Sequence, residues 1–157
     1  MSLLIKFLTA FLCILVASVL NAGSKTQTLL DQLGRAQSIE QANPIVEELW
    51  KEWTTAHNND VEKDLMVQGI AAMSKGNLDR AENLFTKLIE VNPYFTEAWN
   101  KRATLRFMAW DFEGSLKDVE MVLALEPRHF GALSGLGMIY LRLGDPESAL
   151  KAYEDLV

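Results

Sequence analysis

Apolar residues recur at intervals of three and four along most of this chain, the period of an α-helix that turns one face to a core. Leu78, Ala81, Leu84, Phe85, Leu88 and Ile89 form one such stripe, and Ala42, Val46, Leu49, Trp50 and Trp53 form another. The pattern predicts two upstream helices, over 26–35 and 39–56. It then predicts three pairs: 61–75 with 78–91, 95–109 with 112–125, and 129–143 with 146–157. Pro44 falls inside the second upstream stripe, so that helix either tolerates it or starts at Asn43 as cap with Pro44 first.

The punctuation between stripes agrees. Gly76 and Gly144 can take the left-handed backbone that closes a helix, and Asn77, Asp111 and Asp145 follow where an N-cap is wanted. Asp145 before Pro146 is a clear start signal, because proline at the first helical position sacrifices no hydrogen bond.

The punctuation is also periodic. Gly76, Trp110 and Gly144 stand 34 residues apart, as do Ala81, Ser115 and Ala149. Pro93 and Pro127, and Ala98 and Ala132, share that step. With repeats set at 62–95, 96–129 and 130–157, position 8 carries Gly69, Ala103 and Gly137, and position 24 carries Phe85, Val119 and Tyr153. Such self-similarity marks a stack of identical supersecondary units, each burying its apolar face against a neighbour.

Composition changes the picture at one end. Residues Phe7 to Leu20 form an apolar run preceded by Lys6 and followed by Asn21, Ala22 and Gly23, the layout of a secretory signal cleaved after Ala22. Fourteen helical residues span about 21 Å, short of a bilayer core, so the alternative, a retained N-terminal anchor, must recruit Met1 to Ile5. Leu12 before Cys13 argues against lipidation. Cys13 is the chain's one cysteine, so a mature chain has no thiol for a disulfide, a zinc site or a nucleophile. The whole chain carries 15 Lys and Arg against 21 Asp and Glu, a net charge of −6 that disfavours nucleic acid and anionic lipid as partners.

The 34-residue period, with its small residue, aromatic and proline at fixed positions, resembles the tetratricopeptide repeat. That resemblance implies an all-α, right-handed solenoid of antiparallel helix pairs over 62–157, with 23–60 as a degenerate leading pair that caps it. Trp50 and Trp53 are expected to seal the open edge of the first repeat. The strings from Trp99 to Thr104, from Glu126 to Gly137 and from Leu49 to Trp53 further resemble short exported bacterial repeat proteins, implying the periplasm or the outer face of the inner membrane.

The resemblance also implies a concave protein-binding groove. Its positions fall on Met66, Ile70 and Met73, on Asn100, Thr104, Phe107 and Met108, and on Ser134, Met138 and Leu141, with Gly131 and Arg142 alongside. This set is rich in methionine, a side chain that adapts to helical or apolar peptides. The Lys and Asn residues with which some relatives hold a chaperone's terminal carboxylate are absent except for Asn100, which argues against that ligand.

Catalytic and metal signatures are missing from the sequence. Only His57 and His129 are present, without a nucleophile elbow, a P-loop, a Rossmann fingerprint or a zinc-protease helix, so neither an enzyme nor a cofactor is expected. His57 with Asn58, Asn59 and Asp60 reads as a helix end and cap rather than a metal site. Arg102 and Arg106 stand where the family carries Leu and Tyr. Buried guanidiniums need partners, so they belong either to an internal network with acids such as Asp111, Asp118 or Glu120, or to an anion pocket with Lys101, Arg128 and His129. Three functions follow as expectations: a protein-interaction scaffold, a small-anion receptor, or an oligomeric part assembling through the end near Tyr153.

Overall fold

The computed structural model describes residues 25–156. The leader expectation falls outside those residues, and no helix among them is long and apolar enough to cross a membrane. The described residues form helices joined by short turns: α1 (25–33), α2 (Ile39–Thr54), α3 (Asp60–Ser74), α4 (Leu78–Val91), α5 (Thr96–Met108), α6 (Phe112–Leu125), α7 (Phe130–Leu143) and α8 (Pro146–Glu154). The chain divides into two compact units between Glu52 and Trp53.

In the first unit, α2 continues through Pro44 and does not begin there. Its start is fixed upstream by Ser38, whose carbonyl accepts the Ala42 N–H at 3.0 Å while Gln41 Oε1 reaches back to the Gln37 N–H at 2.9 Å. Ser-x-x-Gln is a capping-box pattern, and it outweighs the one backbone hydrogen bond that Pro44 removes. Lys25 bridges Glu48 at 2.8 Å and also pairs with Glu52, tying α1 to α2.

In the second unit, α3 packs on α4, α5 on α6 and α7 on α8, and each second helix then packs on the first helix of the next pair. The three turns inside the pairs are built alike. Gly76, Trp110 and Gly144 have φ of 71°, 67° and 80°. The following N–H groups of Asn77, Asp111 and Asp145 each return to a carbonyl of the preceding helix's last turn, on Ala72, Arg106 and Tyr140, at 2.9–3.0 Å. Those same three residues cap the next helix, their side chains accepting N–H groups of Arg80, Gly114 and Ser148. Left-handed backbone suits glycine and costs an L-residue such as Trp110 about 1 kcal/mol or more.

Between pairs, Asn59 starts α3 by accepting the Glu62 N–H at 3.0 Å, and Glu62 accepts the Asn58 N–H at 2.8 Å in return. The polar run after His57 is thus a helix cap. Phe95 and His129 begin α5 and α7 at equivalent positions, and both are buried. Two clusters make the core: Met66, Phe85, Leu88, Ile89, Phe95 and Leu105 in one, Ala103, Val119, Val122, Ala132 and Ile139 in the other.

Candidate functional site

The first helices of the three pairs, α3, α5 and α7, carry the expected groove residues, and the structure sorts them. Met66 is not a groove residue: it is 2% exposed, in the buried stripe of α3 with Gly69 and Ala72. Met73 packs partly on the same core, while Ile70 is exposed. Asn100 is buried and spends its amide on Glu97 Oε2 at 3.0 Å, and the Thr104 hydroxyl donates to the Asn100 carbonyl at 2.9 Å. Met108, Met138 and Leu141 are exposed, and Phe107 and Ser134 are half-buried.

Where α5 and α7 meet over α6, these residues enclose a cavity of about 90 Å³. Asn100, Thr104, Phe107 and Met138 line it together with Gly131 and Gly135. The two glycines stand four apart on one face of α7, and a β-carbon added at Gly135 would meet nothing within 4 Å. The cavity therefore exists because α7 lacks side chains there. Gly131 belonged to the sequence-derived groove set, whereas Gly135 was missed; the four-residue spacing of the pair was the available signal.

Trp53 takes a place the sequence did not indicate. Expected at the open edge of the first repeat, its indole lies on the third, stacked on the His129 ring at 3.8 Å and 21° and against Phe130 at 5.1 Å. His129 Nδ1 accepts the Ala132 N–H at 3.1 Å, so Nε2 carries the hydrogen and faces Glu97 Oε2 at 3.2 Å. Glu97 Oε1 pairs with Lys101 Nζ at 2.8 Å. Burial alone would raise the Glu97 pKa, yet the bond with His129 and the charge of Lys101 outweigh it and hold the carboxyl below the ordinary glutamate range.

The two central arginines are satisfied by a different carboxylate. Arg102 makes a two-pronged contact with Asp118, Nε to Oδ2 and Nη2 to Oδ1, both 2.8 Å, and donates to Thr86 Oγ1 at 3.1 Å. Arg106 donates to Asp118 Oδ2 at 3.0 Å and to Glu82 Oε1 at 2.9 Å, with Asp111 at 4.0 Å. The five basic residues considered as one anion pocket are thus divided: Arg102 and Arg106 gather on Asp118, Lys101 and His129 on Glu97. The Arg128 backbone N–H donates to Glu126 Oε1. Forked guanidinium–carboxylate pairing is the arrangement that makes burial of both charges tolerable.

The family model of the tetratricopeptide repeat matches residues 66–120 and 109–157. The chain is a tetratricopeptide repeat protein. A TPR repeat-containing protein of Rhizobium etli is 35% identical over 138 residues, covering 85% of this chain and 67% of that one. The small glutamine-rich tetratricopeptide repeat-containing protein 2 of Saccharomyces cerevisiae is 30% identical over 60% of this chain, which spans only 28% of the yeast protein. Among solved structures, the first TPR of Spaghetti (RPAP3), bound to the HSP90 peptide SRMEEVD, superimposes with a TM-score of 0.61 at 25% identity, over 63% of this chain and 79% of that one.

Within this tetratricopeptide solenoid the middle repeat is the unusual one. Arg102 and Arg106 replace apolar packing between helices, and Trp110 replaces the turn glycine of its two sisters.

Proposed function

We propose that this tetratricopeptide repeat protein is a non-enzymatic scaffold that binds a polypeptide along the concave face of α5 and α7. The cavity beside Gly135 carries the reading: its lining is apolar apart from Asn100, Thr104 and Ser115, each of which makes a hydrogen bond within the protein, and it is sized for one aliphatic side chain beside Met138 and Phe107. The peptide-bound TPR structure supports a peptide as the class of ligand. The terminal-carboxylate clamp is not reproduced, so the ligand is held by side-chain anchors rather than by its C-terminus. We further propose that the protein acts in the periplasm after loss of residues 1–22, which the intact mass of exported protein would check.

The test is a photo-crosslinking amino acid placed in living cells at Thr104 or Met138, with Asn83 and Lys117 on the second helices as controls. The expected result is one defined foreign protein caught from the groove positions and lost when Gly135→Leu fills the cavity at unchanged melting temperature. Equal capture from both faces, adducts of the chain with itself alone, or capture indifferent to Gly135→Leu would overturn it.

A further inference from the structure

A second concavity lies at the edge of the solenoid formed by the turns inside the pairs. Phe107, Met108, Trp110, Phe112 and Arg142 line a space of about 160 Å³. It shares only Phe107 with the cavity beside Gly135.

Three observations set this place apart. The first is conformational. Two of the three equivalent turns use glycine at φ 71° and 80°, and the third forces Trp110 to φ 67°. Packing does not explain the choice, because Trp110 is 73% exposed, and among the described residues its aromatic and cationic neighbours are the edge of Phe112, at 5.9 Å, and the guanidinium of Arg142, at 6.0 Å. Sustained backbone strain under an exposed aromatic is characteristic of sites that act on something outside the fold.

The second observation is charge. Arg102 and Arg106 are held by Asp118 and Glu82, whereas Arg142 has no carboxylate within 4 Å among the described residues. The neighbouring Asp111 turns its side chain to the Gly114 N–H at 2.9 Å. The third is the lining itself: four apolar side chains, three of them aromatic, around one cation. Tryptophan and arginine are the residues that most often anchor protein interfaces, each needing a partner that covers it.

We propose that Phe107, Met108, Trp110, Phe112 and Arg142 form a receptor for an acidic segment of another protein, one bulky apolar side chain entering the aromatic cup and an adjacent carboxylate pairing with Arg142. A wholly apolar ligand would leave the guanidinium unpaired in a desolvated rim, and a polyanion would meet a chain of net charge −6. Phe107, Met108 and Arg142 are also groove positions of the repeat, but the cup shares only Phe107 with the cavity beside Gly135 and does not depend on that cavity.

The probes are three blocked tetrapeptides: acetyl-Asp-Phe-Asp-Gly-amide, its Asn-Phe-Asn counterpart, and its Asp-Ala-Asp counterpart. Binding is followed by the indole N–H resonance of Trp110 and, for every protein including the variant that lacks it, by isothermal titration calorimetry. The Asp-Phe-Asp peptide is expected to shift that resonance saturably, the Asn-Phe-Asn peptide to bind about tenfold more weakly and the Asp-Ala-Asp peptide not at all. Arg142→Gln should make the acidic and neutral peptides equal. Trp110→Gly should abolish binding while the melting temperature holds or rises, which separates loss of a site from loss of the fold. Gly135→Leu should leave these titrations unchanged, so failure here and failure of the groove reading are distinguishable. An unmoved indole, equal affinity of acidic and neutral peptides for the native protein, binding that survives Trp110→Gly, or preference for a single-stranded oligothymidylate over all three peptides would overturn the proposal.

Discussion

The ring of Phe85 occupies the space that a side chain on Gly69 would need: a β-carbon there would fall 2.6 Å from Phe85 Cε1. Gly137 and Tyr153 repeat the relationship at 2.4 Å, and in the middle repeat the smaller Val119 accompanies Ala103. Positions 8 and 24 therefore exchange volume, with glycine where the partner is aromatic. Gly69→Ala is expected to cost about 1–3 kcal/mol by overpacking. Adding Phe85→Val, which copies the middle repeat, should recover about 1–2 kcal/mol of coupling in a double-mutant cycle read by urea unfolding. Strictly additive losses would show that the helices can simply move apart.

Asp118 holds two guanidiniums at once, so its removal leaves both uncompensated. Asp118→Ala is expected to destabilise by about 3–5 kcal/mol in chemical denaturation. Replacing the whole set by apolar residues, Arg102→Leu, Arg106→Tyr and Asp118→Leu together, should cost far less than that single change, because no charge is then stranded. A single-mutant loss below about 1 kcal/mol would mean that solvent screens the network.

The pH dependence of stability should carry the mark of Glu97. Its carboxyl titrates lower in the folded protein than in the unfolded chain, so its contribution is complete above about pH 4.3, the ordinary glutamate value, and fades as pH falls through the depressed folded value. Native protein should therefore exceed Glu97→Gln in stability at neutral pH, and the gap should narrow on acidification. A gap constant from neutral to acid pH in parallel unfolding titrations would show that the carboxylate charge is not what matters.

Pro44 sits in the second turn of α2, where an N–H would otherwise donate to the carbonyl four residues back. Pro44→Ala should restore that bond and raise both helicity and thermal stability, by about 1–3 kcal/mol, as read by circular dichroism and melting. A fall in stability would show that the ring is packed and not merely tolerated.

Much of this architecture was legible in the sequence because its determinants are local. Asn77, Asp111 and Asp145 announce caps three residues from where they act, and the 34-residue period places every pair of helices within a residue or two, except that α8 ends at Glu154. The Ser-x-x-Gln box at Ser38 is equally local, but Asn43 before Pro44 offers a competing start signal four residues inside the helix. Asp118 could be named as a partner for Arg102 because it lies in the same repeat. Glu82 and Thr86 could not, since they sit in the preceding repeat and reach the arginines only through the packing of α4 on α5. Trp53 was misplaced for a related reason: its contact with His129 spans a long loop of chain, and nothing in the intervening turns encodes it. Met66 shows the limit of carrying over positions, because groove positions border the buried stripe and one side chain's rotation decides between them.

The Glu82 and Thr86 contacts to Arg106 and Arg102 have a consequence for the array as a set of modules. The first joint adds charged contacts to its apolar packing, whereas the second, at the equivalent positions, sets Leu116 and Leu136 on one core cluster. The units are consequently not interchangeable beads. A duplication that put the middle repeat behind itself would place Leu116 where Glu82 stands, so the incoming Arg106 would keep Asp118 and lose its second carboxylate. The order first, middle, last is spelled into the joints, and this solenoid can lengthen or recombine at its middle only by rewriting both sides of a seam at once.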